Sequence, residues 1–244
     1  MDLSRYLHNG TFLWTLTTNG YKFLTLNLVR HLQKAKVPWK LTVVCGDKNC
    51  HRFFLTEGIP CILAPTAQTD DRTGILPFGS RAFQEINLVK LDLLNMFAKM
   101  STVKTCVYLD GDIIVNQDFL PDLLDRLDAT PLLFQCDEKE KTADKHPCPA
   151  ACTGLIAFKH GADNGIFHMN DRALWNERPE DQVWVDRRLA ADAAPYDTLP
   201  RDLYPNGSFV DDLPPNYMLL HYNRLVGNAK LIKMKRNNHW IIPY

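Results

Sequence analysis

Short apolar runs alternate with segments of helical periodicity from the start of this chain, and this alternation limits the possible folds more than any other feature. Thr11–Thr17 and Leu41–Cys45 are typical of buried strands. Between them, Tyr21–Lys36 carries a leucine at every fourth position, as one face of a helix does. Strands that alternate with helices form parallel sheets with helices on both faces. The sequence therefore predicts an α/β fold with a mostly parallel central sheet flanked by helices.

The same pattern continues along the chain. Further strands are predicted at Cys61–Ala64, Thr105–Leu109, Ile113–Val115, Leu132–Gln135 and Gly154–Phe158, and further helices at Asn49–Glu57, Arg81–Met100, Pro121–Leu127, Asp163–Asn176 and Pro179–Leu189. Thr66–Ser80 shows little periodicity, and a loop of that length in a compact domain is often a functional lid. A chain of 244 residues is long enough for one α/β core, so we expect a single domain over residues 1–244.

The formal charges of the chain balance, with 28 Lys and Arg against 28 Asp and Glu. A chain without a net field has no general attraction to nucleic acid or anionic lipid, and we expect neither as a partner. Met1–Gly10 is polar, whereas a signal peptide needs a basic start and an apolar run. No run reaches the roughly 18 apolar residues of a membrane span. These features predict a cytoplasmic protein without a membrane-spanning segment.

The seven cysteines do not suggest a disulfide framework. Cys45, Cys61, Cys106 and Cys136 lie in or beside apolar strand-like runs. Reduced cysteines are common in such core positions. We therefore expect these four side chains to be free thiols.

Asp110-Gly111-Asp112 directly follows the predicted strand Thr105–Leu109. Two carboxylates at the end of an apolar strand repel each other and lose hydration, so a fold that brings them there commonly supplies a cation. In extended backbone the first and third residues share a face at roughly 6 to 7 Å, a span that one divalent ion bridges. Gly111 lets a phosphate approach the backbone closely. Carboxylates favour Mg²⁺ or Mn²⁺, ions that bind diphosphates.

The alternative for this motif is a surface turn without a ligand, since Asp-Gly is a common turn pair. The apolar residues Val107–Leu109 before the motif and Ile113–Val115 after it favour a position at the carboxyl end of a core strand. Open α/β sheets bind their ligands at such ends. The sequence therefore favours a metal site that holds a phosphorylated ligand.

The residues from Val107 to Val115 resemble the Asp-x-Asp segment of the GT-A glycosyltransferases. The resemblance includes glycogenin-like enzymes and the nucleotide-diphospho-sugar transferase group with its plant wall arabinosyl- and xylosyltransferases. It runs from Thr11 to Trp240, and its further segments are Leu16–Tyr21, Lys90, Thr153-Gly154, Asp181-Gln182, Tyr204–Gly207 and the tail residues His221, Asn223, Gly227, Lys230 and Trp240. It implies a GT-A, Rossmann-like fold with the Asp-x-Asp motif at the end of a core strand.

The resemblance also implies a role for each matching residue. The ligands of Mn²⁺ or Mg²⁺ would be Asp110, Asp112 and His221, the catalytic residues Asp181, Gln182 and Lys230, and the nucleotide-sugar contacts Thr15, Thr17, Asn19, Tyr21, Lys90, Asp110, Gly111, Thr153, Gly154, Asn223, Gly227 and Lys230. Without the resemblance, His221 would be interpreted as a packed strand histidine and Lys90 as an exposed helix lysine.

The implied function is metal-dependent transfer of a sugar from a nucleotide diphosphate donor, a UDP-hexose or UDP-pentose, to a glycan or protein acceptor with retained anomeric configuration. Cys152 stands where many relatives carry an asparagine that contacts the donor sugar, so the identity of the sugar stays open. Two alternatives are a protein that binds nucleotide sugars or glycans without turnover and an aspartate-based phosphatase. The phosphatase fits less well because Ile113-Ile114, not Gly-Thr, follows the aspartates.

Overall fold

The computed structural model of the protein describes residues 2–68, 74–138, 150–170, 176, 180–192 and 195–244. The strands are β1 (Thr11–Thr17), β2 (Thr42–Asp47), β3 (Cys61–Gln68), β4 (Thr105–Leu109), β5 (Ile113–Val115), β6 (Leu132–Cys136), β7 (Ala151–Lys159), β8 (Asp197–Leu199) and β9 (Leu219–His221). The helices are α1 (Lys22–Lys34), α2 (Lys48–Thr56), α3 (Arg81–Ala98), α4 (Leu120–Ala129), α5 (Asp181–Asp192) and α6 (Gly227–Arg236). Within these described ranges, no helix has the length and apolar character needed to cross a membrane.

Seven strands form one sheet in the order β3-β2-β1-β4-β7-β6-β8. β7 is antiparallel to both of its neighbours, and the other pairs are parallel. β5 and β9 form a separate antiparallel pair. The predicted mostly parallel sheet flanked by helices is therefore confirmed.

The core lies on both faces of the sheet because successive side chains of each strand point to opposite faces. In β1, Leu13 packs into one apolar cluster, whereas Phe12 and Trp14 pack into the other. All seven residues of β1 are buried. A strand covered on both faces needs apolar residues at consecutive positions, which explains why this strand reads as a continuous run rather than an alternating one.

Two predicted elements differ most from the structure. The helix predicted at Asp163–Asn176 is wrong over residues 163–170, which form turns followed by irregular chain; most of its remainder lies outside the described residues. Asn164 and Gly165 have φ values of 46° and 78°, which a right-handed helix does not allow. β3 continues to Gln68, so the loop predicted from Thr66 begins later, and residues 69–73 of that loop lie outside the described part.

The expectation of reduced core cysteines holds at Cys45, Cys61 and Cys106, which are free and buried. It is wrong at Cys136, which is disulfide-bonded. Cys136 is the last residue of β6, where the chain leaves the sheet. Its apolar neighbours signalled burial correctly, but a local pattern carries no information about a bonding partner outside the strand.

Asp47 ends β2 and caps α2, and both of its carboxylate oxygens are used. Oδ1 accepts a hydrogen bond from the N–H of Cys50 at 2.8 Å, and Oδ2 accepts one from the N–H of Asn19 at 2.7 Å. Asp47 is 1% exposed, so its removal leaves buried donors without an acceptor. We expect Asp47→Ala to lower the free energy of unfolding by about 2 kcal/mol, measured by urea denaturation.

Asp47→Asn is the matched control because it keeps an acceptor oxygen for the helix cap. It should lose less than half as much stability as Asp47→Ala. Equal losses in the two variants would contradict the capping role.

Candidate active site

A cavity of about 680 Å³ opens at the carboxyl ends of β1 and β4. The sheet order changes direction between these neighbouring strands, and open α/β sheets bind ligands at such switch points. Residues 75–78, 110–112 and 225–228 all line the cavity. Part of the predicted loop Thr66–Ser80 therefore contributes to its wall.

Asp110, Asp112 and His221 lie together in this cavity. β5 and β9 pair with Ile113 opposite His221, which brings the histidine beside the aspartates that precede β5. Nε2 of His221 lies 3.5 Å from Oδ2 of Asp110 and 3.2 Å from Oδ1 of Asp112. One ligand atom from each of the three residues lies within 4.8 Å of the others. This spacing fits three ligands of one divalent ion.

The charges of this cluster are strongly coupled. Burial alone would raise the pKa of the Asp112 carboxyl, but the charges of Lys230 and His221 hold it well below its ordinary value. The pKa of Asp110 is also lowered against the effect of burial, chiefly by Lys90. Burial would lower the pKa of His221, and Asp112 contributes most to raising it well above its ordinary value. Both carboxylates are therefore charged at neutral pH, and they favour a proton or a metal ion at Nε2 of His221.

Two lysines approach the aspartates from different helices. Lys230 of α6 forms an ion pair with Oδ2 of Asp112. Lys90 of α3 forms an ion pair with Asp181, and its Nζ lies 3.7 Å from Oδ1 of Asp110. Burial would lower the pKa of Lys90, but the two carboxylates raise it above its ordinary value. Lys90 is 6% exposed, so the interpretation as an exposed helix lysine is wrong.

Asp181, Thr153 and Lys90 form one buried network beside the aspartates. Oγ1 of Thr153 donates to Oδ2 of Asp181 at 2.8 Å. Nζ of Lys90 donates to the backbone oxygen of Thr153 at 3.1 Å. The network joins α3, β7 and the start of α5, so it fixes the position of Asp181 relative to the sheet.

Gln182 is oriented by Asp137, a residue that sequence reasoning missed. Nε2 of Gln182 donates to Oδ2 of Asp137 at 2.8 Å. An amide nitrogen only donates, so this bond leaves the amide oxygen of Gln182 for a group in the cavity that Gln182 lines. Asp137 also accepts from Nδ2 of Asn223 at 2.6 Å and pairs with Arg224 at 3.0 Å. The available signal was its position directly after β6, at the same sheet edge as the Asp-Gly-Asp motif.

Gly154 lies directly against the ring of His221. A Cβ added to Gly154 would overlap this ring, at 2.7 Å from both Nδ1 and Nε2. The backbone oxygen of Gly154 accepts a hydrogen bond from the N–H of Asp110 at 2.7 Å. The glycine therefore lets β7 contact the histidine and the first aspartate at the same time.

The other residues predicted to contact a nucleotide sugar divide into two groups. Those that line the cavity are Thr17, Tyr21, Gly111, Thr153, Asn223 and Gly227. Thr15 and Asn19 are described but are not part of the lining; Thr15 is fully buried within β1. The hydroxyl of Tyr21 donates to the backbone oxygen of Leu76 at 2.9 Å, which ties the start of α1 to the loop wall.

A family model described as nucleotide-diphospho-sugar transferase matches residues 39–222, which is most of the chain. The chain belongs to the nucleotide-diphospho-sugar transferase family. The matched range includes Asp110, Asp112, Gln182 and His221. Family membership therefore favours a transferase site over the phosphatase alternative.

A curated relative of this nucleotide-diphospho-sugar transferase is the β-arabinofuranosyltransferase RAY1 of Arabidopsis thaliana. The two are 24% identical over 220 residues, which cover 83% of this chain and 40% of the plant protein. This chain thus spans less than half the length of that relative.

Solved structures show the same fold at low sequence identity. Galactosyltransferase LgtC, solved with donor and acceptor sugar analogues, superposes with a TM-score of 0.57 at 12% identity and covers 95% of this chain and 97% of its own. Mouse xyloside xylosyltransferase 1 gives a TM-score of 0.53 at 9% identity, with 90% of this chain and 98% of its own covered. The nucleotide-diphospho-sugar transferase chain therefore has the GT-A fold that its sequence predicted.

Cys152, where the resemblance implies an asparagine in many relatives, lies beside His221 in this transferase chain. Its Sγ lies 3.5 Å from Nδ1 of His221 and 3.7 Å from Nδ2 of Asn223. Cys152 is 2% exposed and lines the cavity. The thiol thus lies in the cavity wall between His221 and the amide of Asn223, which is hydrogen-bonded to Asp137.

Proposed function

We propose that this chain transfers a sugar from a nucleoside diphosphate donor to a hydroxyl group of a glycan or protein acceptor. The observation that carries the proposal is the cluster of Asp110, Asp112 and His221 in a cavity at the switch point of a family-typical sheet. Burying two carboxylates this close together costs free energy through lost hydration and mutual repulsion, and a bound cation would offset that cost. A divalent ion held here would also be placed to bind a diphosphate.

The three side chains fit Mn²⁺ or Mg²⁺. Carboxylate oxygens suit both ions, and one imidazole nitrogen is compatible with Mn²⁺ in particular. The fit is supported by the way Nε2 of His221 faces an oxygen of each charged aspartate. When bound by Asp110, Asp112 and His221, a divalent ion would supply positive charge to the diphosphate and to the leaving group.

The start of α6 is the proposed seat of the diphosphate. α6 begins at Gly227 without a side-chain cap, and Gly227 and Asn228 line the cavity. The first N–H groups of a helix have no partner within the helix, and they bind phosphate oxygens. Lys230 lies one turn further along, beside Asp112, where its ammonium stabilises the departing phosphate.

The proposed sugar position lies between this phosphate seat and the pair Asp181 and Gln182. Glycosyl transfer develops positive charge at the anomeric carbon. The amide oxygen of Gln182, oriented by Asp137, is the neutral acceptor that stabilises this charge from the opposite face. We propose retention of configuration on this basis, with Asp181 and Lys90 positioning the donor sugar.

The nucleoside is proposed to bind near the end of β1. Thr17 and Tyr21 line this part of the cavity, and Thr15 and Asn19 lie beside them along the chain. We propose uridine as the base. Relatives named arabinofuranosyl-, galactosyl- and xylosyltransferase support a pentose or a hexose as the sugar.

The test is a thermal-shift comparison of UDP, GDP and CDP, each with Mn²⁺ and with EDTA. A ligand at about 100 times its Kd stabilises the folded state by about 2.7 kcal/mol, or about 5 to 10 °C in a chain of this size. We expect UDP with Mn²⁺ to give this shift and EDTA to remove it. A shift of equal size in EDTA would contradict metal-dependent binding.

Turnover separates a transferase from a protein that only binds. With Mn²⁺ and a UDP-sugar that gives the thermal shift, slow release of UDP in the absence of acceptor is expected from a transferase. Binding without any release of UDP would favour the binding protein. Release of phosphate from simple phosphate esters would favour the phosphatase.

A further inference from the structure

Gln135 lies behind His221, on the side of the ring that faces away from the aspartates. It is fully buried in β6, and its Oε1 lies 2.9 Å from Nδ1 of His221. Gln135 is not one of the described residues that line the cavity. The hydrogen-bond distance to Nδ1 of His221 connects its side chain to the site.

The orientation of the Gln135 amide is fixed by the backbone. Nε2 of Gln135 donates to the oxygens of Tyr204 and Pro205, each at 3.0 Å. The flipped amide would place its oxygen against these two carbonyl oxygens, where no hydrogen bond is possible. Oε1 must therefore face His221, and the Nδ1 of that histidine must carry a proton to donate.

The pairing of β6 with β7 is irregular at Gln135, where β7 carries the extra residues: Phe134 lies opposite Ile156, and Gln135 lies opposite Cys152. Bulges are common beside functional sites. The same turn that accepts from Gln135 also holds the histidine backbone, since the N–H of His221 donates to the oxygen of Pro205 at 3.1 Å.

We infer that Gln135 is a positioning residue for the proposed metal ligand His221: it fixes the proton on Nδ1 and thereby leaves Nε2 to bind the metal ion beside Asp110 and Asp112. The inference rests on the metal site of the proposed function. A metal-bound histidine commonly donates its other ring N–H to such a partner, and loss of the partner weakens metal binding about 10- to 100-fold. In most sites the partner is a carboxylate or backbone carbonyl, whereas here it is a buried amide locked by two carbonyls.

The test compares Gln135→Met with Gln135→Glu in the full chain. Both variants lose amide donation to Tyr204 and Pro205, so both should be less stable in EDTA. Only Gln135→Glu keeps an oxygen that accepts from Nδ1 of His221. We expect Gln135→Met to weaken Mn²⁺ binding about 10- to 100-fold and Gln135→Glu to weaken it less than about threefold.

Mn²⁺ affinity is measured without substrate, from the electron paramagnetic resonance signal of the free ion. Unchanged affinity in Gln135→Met, or equal losses in the two variants, would overturn the inference while leaving the metal site intact. Wild-type protein that retains no Mn²⁺ would overturn the proposed metal site and the inference with it. Gln117→Met is the matched control, because the exposed amide of Gln117 also donates to two backbone oxygens, those of Asn216 and Tyr217, but lies outside the described cavity lining; this variant should bind Mn²⁺ as the wild type does.

A measurement on the wild-type protein covers the case in which the methionine variant does not fold. In protein labelled with ¹⁵N-histidine and loaded with Zn²⁺, the resonances of His221 are assigned by comparison with His221→Gln. The inference expects the proton on Nδ1 and the metal on Nε2. A proton on Nε2 in the loaded protein would overturn it.

Discussion

Replacement of Asp112 by asparagine is expected to lower kcat/KM for sugar transfer by at least about 10³-fold. Oδ1 of Asp112 faces Nε2 of His221, and its Oδ2 pairs with Lys230. The substitution removes one proposed metal ligand and also releases the lysine that faces the leaving phosphate. A single group that stabilises transition-state charge contributes about 10²- to 10³-fold, and here two such effects fail together.

The control for this variant is Asp211→Asn. Asp211 pairs with Lys233 on the same helix as Lys230, but its side chain is 77% exposed and lies outside the cavity lining. Asp211→Asn also removes a carboxylate from a pair with a lysine, but far from the proposed metal site. The activity of this variant should therefore equal that of the wild type. Thermal unfolding in EDTA tests whether Asp112→Asn keeps its fold. Near-normal transfer by a folded Asp112→Asn protein would contradict the metal site.

Gly154→Ala is expected to weaken Mn²⁺ binding by at least about 100-fold, although it adds only a methyl group to the protein. The new Cβ overlaps the ring of His221, which has to leave its place between the aspartates and Gln135. Overpacking of a buried site also costs about 1 to 3 kcal/mol of stability. Mn²⁺ titration gives the affinity, and urea denaturation in EDTA gives the stability.

Gly74→Ala is the matched control for this glycine. A Cβ at Gly74 would meet no atom of the described residues within 4 Å, and its backbone does not require the left-handed region. The control should therefore keep both Mn²⁺ affinity and stability. Equally tight Mn²⁺ binding by Gly154→Ala and the control would contradict the close contact between Gly154 and the ring of His221.

The parts of the fold that the sequence predicted are those encoded by local patterns. β1 and β4 read correctly because strands buried on both faces need consecutive apolar residues. The helix predicted at Asp163–Asn176 was wrong, because apolar spacing carries no information about the positive φ values of Asn164 and Gly165. β8 has only three residues and was missed since so short a strand has no period to detect.

The site residues likewise fall into those that a local sequence pattern reveals and those that only contacts between distant elements reveal. Asp110 and Asp112 could be recognised because strand, turn and charge are adjacent in the sequence. Asp137 and Gln135 could not, because their importance arises from partners on other elements, Gln182 and His221. The family resemblance identified His221 as a candidate metal ligand, but it did not identify the residues that orient the site side chains, such as Gln135 and Asp137.

The ladder between β5 and β9 has a consequence for biosynthesis. It joins the segment that follows Asp110 and Asp112 to His221, and Asp112 lies 118 positions before Lys230. A ribosome releases the strands around the aspartates long before the histidine and α6 emerge. A nascent chain therefore has the two aspartates but neither His221 nor the helix that is the proposed diphosphate seat. If the proposed site is correct, we expect sugar transfer to begin only when synthesis has passed Lys230 and β9 has paired with β5.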